Sequence, residues 1–221
     1  MSGPVRVGII VKVGIIDSGV HASHPHVNGV AGGVAITPGD TGRAGREEPD
    51  YVDRIGHGTA VAAVIREKAP EAEIFAIKVF HDALATRVES LIQGIDWCVA
   101  QRMDLINLSL GTQNTAHAAL LRAAVDRVTA AGIRLVAAYE DQGVRWLPGC
   151  LPGVVPVTLD WDCPRHEYRT AHLEDGRIVY HASGYPRPIP RIPPERNLKG
   201  ISFAVANVTG LLAAGLLGQV N

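Results

Sequence analysis

Short apolar runs and longer amphipathic stretches take turns along this chain. Strand-like runs lie near residues 11–16, 73–79, 104–109, 133–138 and 154–158. Between them, apolar positions adopt the helical period over roughly 58–68, 87–102, 115–131 and 202–218. That alternation predicts an α/β fold built on a largely parallel sheet. Asp175-Gly176 stands between Thr170-Ala-His-Leu and Ile178-Val-Tyr, a signal for a hairpin turn. Five prolines between Pro186 and Pro194 predict an extended, non-helical loop there. One pattern stays open: Val5-Arg-Val-Gly-Ile-Ile10 is nearly repeated as Val11-Lys-Val-Gly-Ile-Ile16. The second copy is the one that delivers Asp17; the first reads equally as a neighbouring strand, an extension over residues 1–10, or a duplication.

Composition bounds this picture. With 221 residues, 47% of them hydrophobic and 19% charged, the chain is too apolar for disorder and suits a single domain over 1–221. A formal net charge of −1 leaves no global basic field for nucleic acid or an anionic membrane. Neither partner is expected. The run from Val5 to Ile16 is too short to span a bilayer and is broken by Arg6 and Lys12, and Leu211–Val220 reads as the end of a buried helix. Cys98, Cys150 and Cys163 form an odd set without a CxxC pair, which predicts reduced thiols in a cytoplasmic protein.

Three positions carry candidate chemistry. Asp17 ends an apolar strand, and the carboxyl ends of parallel strands form the functional edge of such sheets. His57 lies between two glycines at a helix entry, where an imidazole can be turned into a cleft. Ser202 begins a helix of small residues, where free N–H groups favour developing negative charge. Singly, each reads as well as a turn former, a structural histidine or a helix cap. Together, a carboxylate, an imidazole and a hydroxyl at element ends are the parts of a nucleophilic triad.

The blocks VGIIDSGVHASHP, GHGTAVAAVI, INLSLG and GISFAVANVTG, in that order, resemble the subtilisin-like serine peptidases, the subtilase family. APEAEIFAIKVF and AAVDRVTAAGIRLVAA look like the family's connecting elements, so the resemblance covers most of residues 11–219. It implies a three-layer fold with helices on both faces of a mostly parallel sheet. It also implies that Asp17 orients the base, His57 is general base and acid, and Ser202 is the nucleophile. Ser109, Leu110 and Gly111 match the strand that lies against the substrate backbone. Ala138 and Glu140 match the region facing the residue before the cleaved bond, where Glu140 would favour a basic side chain.

The chain departs from the family at the oxyanion position. Members usually read Ala-Ala-Gly-Asn after the strand at 133–138; here Asp141 takes the asparagine position, or Glu140 under a shift of one residue. An ionised carboxylate donates no hydrogen bond and repels the developing charge, whereas a protonated one can donate. The nucleophile motif reads Gly-Ile-Ser rather than Gly-Thr-Ser. Asp82 to Arg87 replaces a stretch that is often glycine-rich, so Leu84, Thr86 and Arg87 are expected to narrow the groove. The short Ile65–Glu71 connection lacks the usual calcium loop. No cofactor, metal or calcium there is therefore expected, and His21, His24 and His26 are read as a plain loop. Trp97 and Trp146 are expected to pack. No propeptide-like stretch precedes the first motif, which predicts a protein folding alone, as a homo-oligomer or with a protein partner. The expected activity is a serine endopeptidase on restricted peptide or protein substrates, with precursor maturation as its setting. Transpeptidation through the same acyl-enzyme is the enzymatic alternative. A weakly catalytic, peptide-binding subunit is the other.

Overall fold

A computed structural model describes residues 10–39 and 45–218. The first VxVGII copy lies almost wholly outside those residues. The chain runs β1 (Lys12–Asp17), β2 (Gly32–Thr37), β3 (Arg46–Glu48), α1 (His57–Lys68), β4 (Glu73–Lys78), α2 (Val88–Ala100) and β5 (Leu105–Leu108). It continues through α3 (Ala118–Ala130), β6 (Arg134–Asp141), β7 (Val144–Arg145), β8 (Val154–Leu159), β9 (Arg169–His172), β10 (Ile178–Ala182) and α4 (Ile201–Gly218). All five expected strands and all four expected helices form, within a few residues of their expected ends.

The strands make one sheet in the order β3-β2-β4-β1-β5-β6-β8-β10-β9, with β7 paired to β6. From β2 to β10 every neighbouring pair is parallel; β3, β7 and β9 pair antiparallel with β2, β6 and β10. β1 lies in the middle, flanked by β4 and β5, so Asp17 emerges at the carboxyl edge of the central strand. Alternation then sorts the side chains. Val13, Ile15, Ile74, Leu105 and Val136 pack with α1 and α4, whereas Ile16, Ile77, Ile106 and Leu135 pack on the other face with α2 and α3. Three layers result, as expected. Each fully buried Ile or Val on these faces contributes about 1.5–3 kcal/mol.

Helix α4 is apolar nearly all round, with a mean hydropathy of 1.8 that would suit a membrane span by length and composition alone. More than half of it is buried, and it lies against α1, β5, β6, β8 and β10. Its uniform apolarity follows from being wrapped by the core rather than lying on it.

Three features were not anticipated. β2 and the three-residue β3 extend the sheet beyond β4, and β2 buries only Val34, Ala35 and Ile36, too short a run to stand out. The helix expected from residue 115 begins as a 3₁₀ turn, Thr115–His117, because the Asn114 side chain accepts the Ala116 N–H. β6 runs three residues past the apolar run, since Glu140 and Asp141 pair with Arg145 and Val144 across a tight turn. That turn, Gln142-Gly143, has positive φ at both positions (51° and 78°), the backbone twist that suits a two-residue hairpin. The Asp175-Gly176 hairpin between β9 and β10 forms as expected.

Candidate active site

Asp17 ends β1 with its side chain fully buried. Its carboxylate accepts the Ser18 N–H at 2.7 Å and faces His57 Nδ1 at 2.8 and 2.9 Å through its two oxygens. A carboxylate only accepts, so Nδ1 carries the proton and Nε2 is left as the basic nitrogen. Burial disfavours the imidazolium, but the Asp17 hydrogen bond and charge, with help from the Asp53 charge, outweigh it. The His57 pKa therefore lies above its ordinary value.

Two glycines make that geometry possible. Gly56 caps α1 with φ at 94°, a left-handed backbone that a side chain would strain. Gly58 sits so close to β1 that an added Cβ would lie 2.2 Å from the Gly19 carbonyl oxygen and 3.2 Å from Asp17 Cβ. The first turn of α1 is thus pressed against the end of β1, which brings the imidazole onto the carboxylate.

Asp53, not singled out from the sequence, fixes this turn. Its buried carboxylate accepts from Ile55 N, Gly56 N, Thr59 N, Thr59 Oγ1 and Ser18 Oγ at 2.6–2.9 Å. Although burial opposes its ionisation, these hydrogen bonds prevail and hold its pKa below the usual carboxylate value. Ser18 Oγ in turn accepts the Gly58 N–H at 2.9 Å. The spacing of Asp53 before the helix start, a carboxylate among orphan N–H groups, is the signal that could have revealed it.

Ser202 lies in the first turn of α4, next to Phe203, whose ring centroid is 5.6 Å from that of His57. The leading N–H groups of a helix have no partner within it, so the Ser202 N–H is free to receive an anion. The hydroxyl donates to the Ser109 carbonyl oxygen at 3.1 Å, and Ser109 Oγ donates back to the Ser202 carbonyl oxygen at 3.1 Å. Among the described residues no hydrogen bond joins Ser202 Oγ to His57. Asn107 tightens the same corner: its side chain donates to Ser109 Oγ and accepts from Thr209 Oγ1 of α4. Ser109 is therefore locked to the start of α4, with Leu110 and Gly111 following at half-buried positions.

The remaining predicted positions spread out. Ala138 is buried in the core cluster that includes Phe203. Asp141 is half-buried at the end of the β6–β7 hairpin and makes no side-chain hydrogen bond among the described residues. Glu140 pairs with Arg145 at 3.6 Å and lines a cavity of about 470 Å³ with Tyr139, Thr158, His172 and His181. No triad residue lines that cavity. Trp146 packs as expected, its Cβ 3.1 Å from where a Cβ on Gly111 would sit, and its indole N–H is buried without a partner. The Asp82–Arg87 segment is an exposed connection between β4 and α2, with Leu84 53% exposed and Arg87 reaching the Gly39 carbonyl oxygen. No group of three or more His, Cys, Asp or Glu side chains is placed to hold a metal ion among the described residues.

Comparison with known proteins places the chain in one family. A family model described as the subtilase family matches residues 8–144. Minor extracellular protease Epr of Bacillus subtilis is 38% identical over 143 residues, covering 60% of this chain and 20% of that protein. Subtilisin E of the same species is 35% identical over 145 residues, 62% of this chain and 35% of the relative. A thermostable alkaline protease of Halalkalibacterium halodurans is 35% identical over 172 residues, 72% of this chain and 44% of the relative. The chain thus spans less than half the length of these relatives. Among solved structures, the prenylagaramide maturation protease PagA superposes with a TM-score of 0.66 at 22% identity, covering 94% of this chain and 75% of that one. That likeness concerns the fold.

Proposed function

The chain belongs to the subtilase family, and from that premise we propose that it is a serine endopeptidase acting on a restricted set of peptide or protein substrates. The observation that carries the proposal is the buried Asp17–His57 pair, at 2.8 Å, with the ring of Phe203, the residue after Ser202, 5.6 Å from the imidazole. In this reading Ser202 attacks the peptide carbonyl while His57 Nε2 takes its proton. His57 then returns the proton to the leaving amine, and water releases the acyl group by the same route. Asp17 keeps the tautomer and stabilises the imidazolium. The Ser202 N–H holds one side of the oxyanion, and Asp141, when protonated, supplies a second donor. Ser109 to Gly111 receive the extended acyl side of the substrate by main-chain pairing. Trimming of a precursor peptide in the cytoplasm is the setting we propose. It draws support from the fold shared with a maturation protease.

A second reading, a weakly catalytic peptide-binding protein, is favoured by the Ser202 hydroxyl being bonded to Ser109 and by the carboxylate of Asp141. A fluorophosphonate probe separates the two. Stoichiometric labelling that disappears in Ser202→Ala is expected for the peptidase; absence of labelling from pH 5 to 9 would overturn it.

A further inference from the structure

The sheet ends differently on its two sides. On one side β3 is three residues long and reads Arg-Glu-Glu, and a charge at every position discourages a further strand. On the other side lies β9, Arg169–His172. All four of its residues are exposed, its centre is the uncharged pair Thr170-Ala171, and its arginine is tied to Asp160 at 2.9 Å. No strand pairs with its outer edge among the described residues.

The ladder with β10 decides which groups that edge presents. The Leu173 N–H donates to the Arg177 carbonyl oxygen at 2.8 Å, and the register sets Ala171 opposite Val179 and Arg169 opposite His181. In an antiparallel pair, hydrogen-bonded positions alternate with free ones. Leu173, Ala171 and Arg169 therefore turn their backbone groups inward to β10, whereas Thr170 and His172 turn theirs outward. Unpaired N–H and C=O groups in such a row are a template for another strand. One face of this edge is also apolar. Tyr168 meets Tyr180 edge-on, with ring centroids 5.0 Å apart, and is 38% exposed; Ile178, opposite His172, is 45% exposed.

Charge along the segment selects the occupant. Arg169 opens the strand, and Glu174 and Asp175 form the hairpin tip just past its end. Asp175 is held by Arg177, which leaves Glu174 without an ion pair among the described residues. A parallel copy of this segment would bring two acidic tips together. An antiparallel copy separates the tips and sets each beside the arginine end of the other, twice by symmetry. The antiparallel copy also matches the free backbone groups. With Ala171 facing its own symmetry mate, Thr170 of one copy and His172 of the other exchange both ladder hydrogen bonds. We propose that β9 pairs with β9 of a second copy of this chain about a two-fold axis at Ala171, joining two sheets into one. The pairing lays Tyr168 of each copy opposite Glu174 of the other and merges the two Tyr168–Ile178 faces. It does not depend on the peptidase reading.

The test uses the full chain as Ser202→Ala, so that self-digestion does not interfere. A four-residue edge makes a small interface, and sedimentation should pass from monomer to dimer at about 10–100 µM. Over the same range the Thr170 and His172 amides should gain hydrogen-exchange protection, while the Ala171 amide, already bonded to β10, changes little. Thr170→Pro removes an outward donor and no bond to β10, a placement that edge strands tolerate. It should weaken association about 10–100-fold and leave the unfolding midpoint unchanged. Glu174→Lys, at the exposed tip, should weaken it about threefold at low salt and lose that effect at high salt. If Thr170→Pro lowers the unfolding midpoint, the concentration dependence of the two unsubstituted amides decides by itself. A monomer throughout, or a dimer that a stable Thr170→Pro leaves intact, overturns the inference. So does protection of Thr170 and His172 already complete at the lowest concentration, the mark of another segment of the same chain on this edge. Growth beyond a dimer, the mark of β9 pairing with β3 of the next chain, overturns it as well.

Discussion

The two flanks of Ser202 are built to different standards. On the His57 flank the side chains of Asp17, Ser18 and Asp53 are all engaged. Asp17 bonds Ser18 and His57, Asp53 takes five donors, and Ser18 ties β1 to α1. On the flank proposed to hold the oxyanion, β6 runs on as a hairpin, Glu140 turns to Arg145, and Asp141 has no side-chain partner among the described residues. A buried, fully satisfied network fixes one geometry, because moving any member leaves another unpaired. A half-exposed hairpin tip carries no such penalty. The orientation of His57 is therefore rigid in this protein, and the β6–β7 hairpin tip is the adjustable part.

The contrast can be broken from either flank. The largest effect is expected from Asp17→Asn, which leaves the shape but allows the wrong tautomer. Hydrolysis of a fluorogenic peptide should fall by about 10⁴-fold. Next comes Asp141→Asn, which puts a permanent neutral donor in place of a carboxyl group that donates only when protonated. Single-turnover acylation should rise by about 10–100-fold; an unchanged or lower rate would show that Asp141 does not face the oxyanion. Asp53→Ala removes the acceptor of several buried donors and should lower stability by about 2–3 kcal/mol in denaturant unfolding. The matching change on the other flank, Glu140→Ala, removes only a half-exposed ion pair and should cost under about 1 kcal/mol.

The smallest effect is in pH. Because His57 titrates above its ordinary value, kcat/KM should fall on acidification through that raised pKa, as the base becomes protonated. The stability term has the opposite sense. Charged His57 is favoured in the folded state, so its contribution is complete below the unfolded value of about 6.5 and fades as pH rises through the folded one. An NMR titration of His57 should show the raised value, and Asp17→Asn should lower it.

Much of this was legible in the residues. Buried strands and helices announce themselves by unbroken apolar runs and by the helical period, which explains why β1, β4, β5, β6 and β8 and all four helices were anticipated. Asp17, His57 and Ser202 stood out for a different reason: the local motifs that hold them resemble, in order, those of one family. β2, β3 and β7 were not, since short edge pairs owe their order to a neighbour rather than to their own pattern. Asp53 was missed because its role depends on three amides and two hydroxyls that the turn into α1 gathers around it.

By itself the sequence determined the main strands and helices, the subtilase resemblance and the three candidate side chains, because these rest on local periodicity and on contiguous motifs. The tertiary structure alone decided that Ser202 is bonded to Ser109, that Glu140 pairs with Arg145 at a hairpin topped by Asp141, and that three distant segments enclose a cavity against the first turns of α1. Those outcomes depend on packing between residues far apart in the chain, and no local pattern encodes such distances.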